Sequence, residues 1–305
     1  MDADLNRRAA GWWFPPIALG RVAALRAIAY GFVLLDVWLL SGWTFQHQDV
    51  AGPLYRPLWL ARALHLPEPT AALVAGLRVL LVGSALVALV ATFTGATRVV
   101  RAAGAATAVT YLWWITVAMS YGKVDHDRFA YVVLLAVLPT VGAARLGERL
   151  TSSAAGWALR MTQVAVIATY FLAALAKIRI GGWGWVNGAT LSWAVVRRGT
   201  WVSNWALDVP VVLRASQWFI VVFELSTPLL FFVRRERVLY ALVAGLYAFH
   251  LVSFAGIGII FLPHLIALAA FLPLERVWSR HGSTLQATPG SPPSRVGTAA
   301  SNAAV

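Results

Sequence analysis

The chain has 305 residues, of which 60% are hydrophobic and 12% are charged, and its formal net charge at pH 7 is +13. Soluble domains carry about 25% charged residues, so this composition excludes an ordinary soluble domain and indicates an integral membrane protein. The chain contains no cysteine, which excludes disulfides, thiol chemistry and cysteine-ligated metals.

Eight apolar stretches are candidates for membrane-spanning helices, because a helix needs about 20 mostly apolar residues to cross the hydrocarbon core. In chain order they cover 20–42, 71–94, 99–120, 128–144, 160–178, 209–233, 237–254 and 257–273. The fourth stretch is short, and Pro263 interrupts the last. We therefore predict an all-α, polytopic helical bundle with about eight transmembrane helices, in one membrane domain over residues 18–274.

The two ends of the chain differ from this domain. No small-residue cleavage site follows a short apolar region near the start, so residues 1–17 are predicted to be a retained cytoplasmic segment and not a signal peptide. From His281 onward the chain is rich in Ser, Ala, Gly, Thr and Pro and lacks apolar periodicity. Residues 275–305 are therefore predicted to form a disordered cytoplasmic tail.

The basic residues predict the orientation, because Lys and Arg concentrate in cytoplasmic loops. With the N-terminus inside, the inner segments hold fourteen basic residues and the longer outer segments hold eight. Both termini are therefore expected on the cytoplasmic side of the cell membrane, with His126 and Lys177 on the outer side. The net charge reflects this asymmetry and attraction to anionic lipids of the bilayer. It does not indicate nucleic-acid binding, because no basic stripe interleaved with exposed aromatics is present.

Polar side chains within the apolar stretches are the candidates for chemistry, because such groups are expensive in lipid. Gln163, Tyr170 and Lys177 follow one another at intervals of seven residues, which places them within about 40° of one line on an α-helix. Gln217 and Glu224 repeat that spacing in the sixth stretch. Two polar stripes on neighbouring helices are therefore predicted.

Lys177 is one of only two lysines among the 25 basic residues, the other being Lys123. A desolvated lysine can lose its proton whereas an arginine cannot, so a lysine kept at the lipid boundary is a candidate general base. The alternative is structural: a lysine at a helix end extends its ammonium group to the lipid headgroups, and Trp183 and Trp185 form an interfacial belt.

Two histidines are further candidates. His126 lies between Asp125 and Asp127, whose carboxylates would hold it charged or fix its tautomer; the alternative is a solvated loop histidine. His250 lies inside an apolar stretch, where a core histidine satisfied by a neighbouring group is the alternative to a functional one.

The acidic residues within the spans require partners. A buried Glu224 must be paired or protonated, and Arg214 or Arg78 could supply the positive charge. Asp36 and Arg26 are predicted to be structural. They lie ten residues apart on one helix, about 80° around its axis, which suggests that each pairs with a group on another helix.

The segment YFLAALAKIRIGGWGWVNGATL, which begins at Tyr170, resembles the core of vitamin K-dependent γ-glutamyl carboxylases. It also resembles a wider set of bacterial membrane proteins, the horizontally transferred transmembrane (HTTM) family. The family pattern is a Tyr-Phe pair, a stretch of small residues, a lysine and then Trp-x-x-Gly. The matching residues are Tyr170, Phe171, Lys177, Trp185 and Gly188.

Three further patches resemble the family in the same order along the chain. DHDRFAYVVLLAVLP places a family histidine at His126, FELSTPLLFF places a family carboxylate at Glu224, and AFHLVSF places a second histidine at His250. The likeness covers roughly residues 18–273, which is nearly all of the predicted membrane domain.

The resemblance implies a reaction at the outer face of the membrane. In the carboxylases a lysine deprotonates reduced vitamin K, oxygen adds, and the resulting strong base removes a proton from a glutamate γ-carbon, which then captures carbon dioxide. For this chain it implies Lys177 as general base, His126 or His250 as donor to the developing oxyanion, and a reduced isoprenoid quinone as cofactor, with no metal. The residues expected to bind that cofactor are Tyr170, Trp185 and Glu224.

The chain also departs from the family pattern. Ala174 stands where the family often has Gly, and one lysine replaces a pair. After the last span we expect only the disordered tail, and not a counterpart of the large extramembrane C-terminal domain with which the carboxylases grip their peptide substrate. We therefore expect the scaffold and the quinone chemistry, and not glutamate carboxylation.

A non-catalytic membrane protein is the competing hypothesis. It would be a partner in peptide maturation or export, or a small-solute transporter whose broken last helix, at Gly256, Gly258 and Pro263, lines a path. Transporters built from repeats show internal symmetry, and this sequence shows none. The sequence determines neither the substrate, whether a peptide or a small molecule, nor the oligomeric state.

Overall fold

The computed structural model describes residues 9–277, so most of the predicted tail lies outside the described residues. Within them, six helices are long and apolar enough to cross a membrane. They are Leu19–Leu40, Ala71–Thr94, Thr97–Met119, Ser153–Gly181, Pro210–Phe232 and Glu236–Ile257. The prediction of an all-α polytopic membrane bundle is therefore confirmed.

The α-helices are labelled in chain order. They are α1 (Leu19–Leu35), α2 (Trp59–Ala63), α3 (Ala71–Thr94), α4 (Thr97–Met119), α5 (Phe129–Val137), α6 (Ser153–Gly181), α7 (Ala189–Arg198), α8 (Pro210–Ser226), α9 (Glu236–Ile257) and α10 (Leu262–Leu268). α1 continues as a π-helical turn over Asp36–Leu40, and α8 continues as a 3₁₀ helix over Thr227–Phe232. Two short strands, β1 (Ile17–Ala18) and β2 (Thr151–Ser152), pair in an antiparallel ladder.

Two of the eight predicted spans are too short to cross the membrane. The fourth contains α5, which ends in a 3₁₀ turn over Leu138–Thr140, and the eighth contains only the helical segment Leu262–Phe271. At about 1.5 Å per residue these segments reach roughly 15 to 18 Å, about half of the hydrocarbon core. Pro139 lies in the turn that ends the first of them, and Gly258, with φ of 64°, separates the second from α9.

The short helices pack inside the bundle. α5 and α10 both contact α6, which also contacts α8. One large apolar core joins α1, α3, α4, α5, α6, α9 and α10, and its bulkiest buried residue is Trp114. A smaller cluster around Val195, Ala206 and Leu213 joins α7 to α8. α6 therefore links the main core to the part of the bundle formed by α7 and α8.

The outer surfaces of the long helices are apolar. α3 exposes Val79, Leu80 and Phe93, and α9 exposes Leu251 and Val252. A soluble protein rarely exposes apolar side chains over such continuous surfaces. These helix faces are therefore the surfaces in contact with the lipid chains.

Candidate functional site

A cavity of about 310 Å³ lies among α6, α7, α8, α9, α10 and the turn before α5. We call it the central cavity. All six site residues proposed from the sequence line it: His126, Tyr170, Lys177, Trp185, Glu224 and His250. They come from four separate stretches of the chain, and the fold brings them to one place.

Lys177 and Glu224 form an ion pair on the wall of this cavity. Lys177 Nζ lies 2.8 Å from Glu224 Oε1 and 2.6 Å from Oε2, which are the distances of charge-assisted hydrogen bonds. The predicted partners of Glu224 are wrong, because Arg214 is exposed and the Arg78 guanidinium lies 3.5 Å from the ring centroid of Trp38. The side chain of Lys177 is 24% exposed and that of Glu224 is 8% exposed. The pair is sheltered, and the lysine retains access to the cavity.

The segment that follows α6 folds back over Lys177. Gly182 has φ of 59° and ψ of −172°, a conformation that glycine adopts far more readily than other residues. A Cβ atom added at Gly181 would lie 3.0 Å from Trp185 Cβ, so the close approach of Trp185 leaves little room for a larger residue there. The Trp185 ring centroid lies 5.6 Å from Lys177 Nζ, within the range of a cation–π contact.

The two tryptophans of this segment have different environments. Trp183 is exposed and stacks on Trp218 with ring centroids 5.9 Å apart, as an interfacial belt residue would. Trp185 is half-buried in the cavity wall, and Gln217 Nε2 donates to its carbonyl oxygen at 2.7 Å. The second polar stripe, Gln217 and Glu224, is thus buried and holds both Trp185 and Lys177.

Tyr170, His250 and His264 form a second polar cluster on the cavity wall. Tyr170 Oη and His250 Nε2 are 2.6 Å apart. The His264 ring packs edge-on against Tyr170, with centroids 4.7 Å apart, and lies 5.5 Å from the ring of His250. The sequence did not assign His264 to the site. The available signal was a second histidine in an apolar stretch, directly after Pro263.

His126 lies in the turn before α5, at the edge of the central cavity, and is partly exposed. The surrounding protein and then the Lys177 ammonium lower the pKa of His126, whereas Asp125 raises it. The net direction favours the neutral imidazole, and not the charged form that was one of the two sequence expectations. Asp125, the carboxylate that raises this pKa, also pairs with Lys123 at 2.9 Å.

A buried network anchors the turn that carries His126. Arg128 Nη1 donates to Asp36 Oδ1 at 2.8 Å and to Oδ2 at 2.7 Å. Tyr111 Oη and Ser41 Oγ also donate to Asp36 Oδ2, at 3.1 Å and 3.0 Å. Asp36 is fully buried in the π-helical turn that ends α1. The main core therefore fixes the position of His126 through its neighbour Arg128.

Arg26 has a separate structural role. Its guanidinium donates to backbone carbonyl oxygens at the end of α5 and just beyond it. These carbonyls belong to Leu138, Val141 and Gly142. Asp36 and Arg26 thus find their partners on other elements, as their angular separation on the helix suggested.

An apolar groove of about 650 Å³ lies between α9 and α10. We call it the lateral groove. It shares His250 and Phe261 with the central cavity. Its other lining residues include Tyr247, Leu251, Phe254, Ile260 and Leu265. The central cavity therefore adjoins an apolar groove along α9.

Three histidines border the central cavity, but within residues 9–277 no group of three or more His, Asp or Glu side chains is arranged to hold a metal ion. No family model, no curated protein and no solved structure matches this chain. A function must therefore be argued from the chemistry of the cavity and from the resemblance of the motifs that line it.

Proposed function

We propose that this protein is an HTTM-type membrane enzyme that binds a reduced isoprenoid quinone in the central cavity and accepts a hydroxyl proton at the Lys177–Glu224 pair. The observation that carries the proposal is the position of this ion pair, which lies on the wall of a largely apolar cavity beside His126, Tyr170 and His250. Ion pairs inside a membrane domain are rare and typically mark functional sites.

The cavity and the groove fit the two parts of such a molecule. Ligand pockets typically enclose about 300 to 1,000 Å³, and the central cavity, at about 310 Å³, suits one small ring system. Trp185, Phe249 and Phe261 offer aromatic faces against such a ring. The lateral groove, at about 650 Å³, is apolar and suits an isoprenoid tail. When bound, the quinol would supply two electrons for the reduction of oxygen.

The ion pair can take up one proton without a change of net charge at Lys177. As an ammonium, Lys177 has no lone pair and cannot accept a proton. If Lys177 Nζ passes a proton to Glu224 Oε2, its amine gains a lone pair and can accept the hydroxyl proton. Lys177 is then again an ammonium that can donate to the deprotonated oxygen, and Glu224 stores the additional proton. Lys177 is the base in contact with the ligand, and Glu224 makes that role possible.

His126 and Asp127 provide a route by which the stored proton can leave. Both line the central cavity, and both also line a polar cavity of about 190 Å³ that includes Lys123 and Asp125. A neutral imidazole has one donor and one acceptor nitrogen and can relay a proton. The lowered pKa of His126 favours this neutral form. The distribution of basic residues supports an outer position for this polar cavity.

The proposal is tested with the purified protein in detergent. Lipids extracted from it are examined for a quinone by mass spectrometry, and oxygen-dependent quinol oxidation is followed by quinone absorbance. Lys177→Arg keeps the positive charge but cannot accept a proton, so it should reduce turnover at least a hundredfold, within the usual range for a general base. The matched control is Arg62→Lys, the reverse exchange at an exposed residue that does not line the central or the polar cavity, and it should retain full turnover.

The results separate the proposal from the non-catalytic alternatives. Full turnover in Lys177→Arg would show that Lys177 is not the base. The absence of both a bound quinone and quinol oxidation in the wild-type protein would contradict the proposal as a whole and leave an export partner or a transporter. Both variants must elute as the wild type does in size-exclusion chromatography, because a misfolded variant also lacks activity.

A further inference from the structure

A groove of about 560 Å³ lies between the start of α4 and the end of α5. We call it the basic groove. Its polar lining residues are in the first two turns of α4 and in the 3₁₀ turn that ends α5, and they are Thr97, Arg98, Arg101 and Thr140. None of the residues that line it also lines the central cavity. The basic groove is therefore separate from the site described above.

The remaining part of the basic groove is apolar. It is lined by small exposed side chains, Ala102 and Ala105 of α4 and Ala136 of α5. Ala105 follows Arg98 by seven residues, or about 10 Å along the helix axis. The groove thus has a basic part at the end of the bundle and an apolar part that extends along the helices toward the middle of the membrane.

Arg145 brings a third positive charge to this end of the bundle. A Cβ atom added at Gly95, just before Thr97, would lie 3.2 Å from Arg145 Nε. The loop that carries Arg145 also contacts the start of α1, where Gly20 N donates to the carbonyl oxygen of Glu148 at 3.0 Å. The starts of α1 and α4 and the loop after α5 therefore lie together at one end of the bundle.

The two arginines of the groove have no carboxylate partner within residues 9–277, whereas Arg21, at the same end of the bundle, has one. Arg21 Nη2 pairs with Glu275 Oε1 at 2.8 Å. The segment that carries Arg98 and Arg101, residues 94–101, contains no acidic residue. Both arginines are exposed, so their charges are available to an anion from outside the protein.

A backbone contact orients Arg101 for such an anion. Arg101 Nε donates to the carbonyl oxygen of Pro139 at 3.0 Å. This bond fixes the plane of the guanidinium, whose remaining N–H donors have no partner among the described residues. A guanidinium presents its donors as a planar fork that matches two oxygens of a phosphate. Arg101 is therefore held in place before any ligand binds.

We propose that the basic groove binds an anionic phospholipid, with the phosphate at Arg98 and Arg101 and one acyl chain over the alanines. Basic pockets between transmembrane helices on the cytoplasmic side are typical sites for anionic lipid headgroups. The distribution of basic residues predicts that this end of the bundle is cytoplasmic. A soluble phosphate would use only the basic part of the groove, so its apolar continuation favours a lipid.

Native mass spectrometry of the detergent-solubilised protein tests this site. The protein is titrated with phosphatidylglycerol and separately with phosphatidylcholine of the same acyl chains, and the lipid-bound fraction is measured. Each arginine near an anionic headgroup contributes roughly fivefold to its affinity. The wild type should therefore bind the first phosphatidylglycerol roughly thirtyfold more tightly than phosphatidylcholine.

Substitution of the two arginines should remove this preference. In the double variant Arg98→Gln/Arg101→Gln the ratio of affinities should fall to about one. Arg98→Gln alone should lower it roughly fivefold, and this single variant leaves the bond from Arg101 to Pro139 intact. The matched control is Arg234→Gln/Arg235→Gln, which removes the same charge at exposed residues outside the groove and should keep the preference.

A second pair of variants tests the apolar part of the groove. Ala105→Phe fills the space over which the acyl chain would lie and should weaken phosphatidylglycerol binding at least fivefold. Ala106→Phe, at the next exposed alanine of α4, lies outside the groove and should have no effect. Glycerol 3-phosphate, which has the phosphate but no acyl chain, should not displace the lipid at an equal concentration.

Several results would overturn the lipid site. An equal loss of preference in the two double variants would show a general attraction between charges and not a site. Unchanged binding in Arg98→Gln/Arg101→Gln or in Ala105→Phe would mean that the lipid lies elsewhere. Displacement by glycerol 3-phosphate would identify a site for soluble phosphates. All variants must elute as the wild type does in size-exclusion chromatography.

Discussion

Two ion pairs in the described part of the membrane region, Asp36–Arg128 and Lys177–Glu224, differ in how completely they are satisfied. Asp36 receives hydrogen bonds from Arg128, Tyr111 and Ser41, and its side chain is fully buried. The hydrogen bonds of Lys177 and Glu224 side chains go to each other, and both residues border the central cavity.

The difference indicates that Asp36–Arg128 is a structural ion pair, whereas Lys177–Glu224 can be reached by a ligand in the central cavity. The carboxylate of Asp36 is surrounded by three donors from different elements and borders no cavity among those described, so its role is to join α1, α4 and the turn before α5. The carboxylate of Glu224 has one charged partner, and that partner is 24% exposed. A ligand can therefore displace or share the bond between Lys177 and Glu224 without disrupting the core.

The largest effect is expected from Asp36→Ala. This change leaves Arg128 buried without its counter-charge, which typically destabilises a protein by about 3 to 5 kcal/mol. Thermal unfolding in detergent, followed by circular dichroism, should show a much lower melting temperature. Asp208→Ala, at an exposed aspartate, is the matched control and should shift stability by less than about 0.5 kcal/mol. Equal shifts in the two variants would contradict the structural role of Asp36.

A smaller, pH-dependent effect is expected at Asp127, which lies next to Arg128 and also borders the central cavity. Burial is the largest influence on its pKa and raises it from 3.8 to about 6, although Arg128 lowers it. Because the folded state binds this proton more tightly, the associated stability is present below pH 4 and is lost as the pH rises through about 6.

Asp127→Asn should therefore gain stability relative to the wild type as the pH rises from 4 to 7. After allowance for partial exposure we expect a gain of about 1 to 2 kcal/mol. The melting temperatures of both proteins at pH 4.5 and pH 7.5 give this difference. The other titrating groups are the same in both proteins, so their contributions cancel in the comparison. A difference between the two proteins that does not change with pH would show that Asp127 is not perturbed.

The smallest effect on stability is expected from Glu224→Gln. The variant keeps the shape of the side chain, and the ammonium of Lys177 can be solvated from the cavity. The melting temperature should therefore change by the equivalent of less than about 1 kcal/mol, while quinol oxidation should be lost. A destabilisation comparable to that of Asp36→Ala would place both pairs in the same structural class.

Much of the bundle could be predicted from the sequence because long apolar stretches have few alternatives in a membrane. The prediction failed for the fourth and eighth stretches, where composition alone cannot show that α5 and α10 end early and lie inside the protein. The relevant signals were local: Pro139 after α5, and Gly258 with Pro263 before and within α10. Both short helices are buried by their neighbours, and hydropathy does not distinguish burial in protein from burial in lipid.

The candidate site could be predicted only in part. The seven-residue spacing of Tyr170 and Lys177, and of Gln217 and Glu224, placed each pair on one helix face. It did not show that Lys177 pairs with Glu224, because a contact between helices depends on how they pack. His264 was not assigned to the site for a related reason: the rings it contacts, Tyr170 and His250, lie on α6 and α9, and the break before α10 decides its position.

The lateral groove determines how a ligand would reach the site. It lies along α9, where 17% of an apolar 18-residue window is buried inside the described structure. Under the proposed function its opening would face the acyl chains and not the water. Each additional methylene group enriches a molecule in the acyl phase about fourfold. The concentration that governs occupancy is therefore a mole fraction in the leaflet, and titrations of this protein should be expressed per lipid and not per litre.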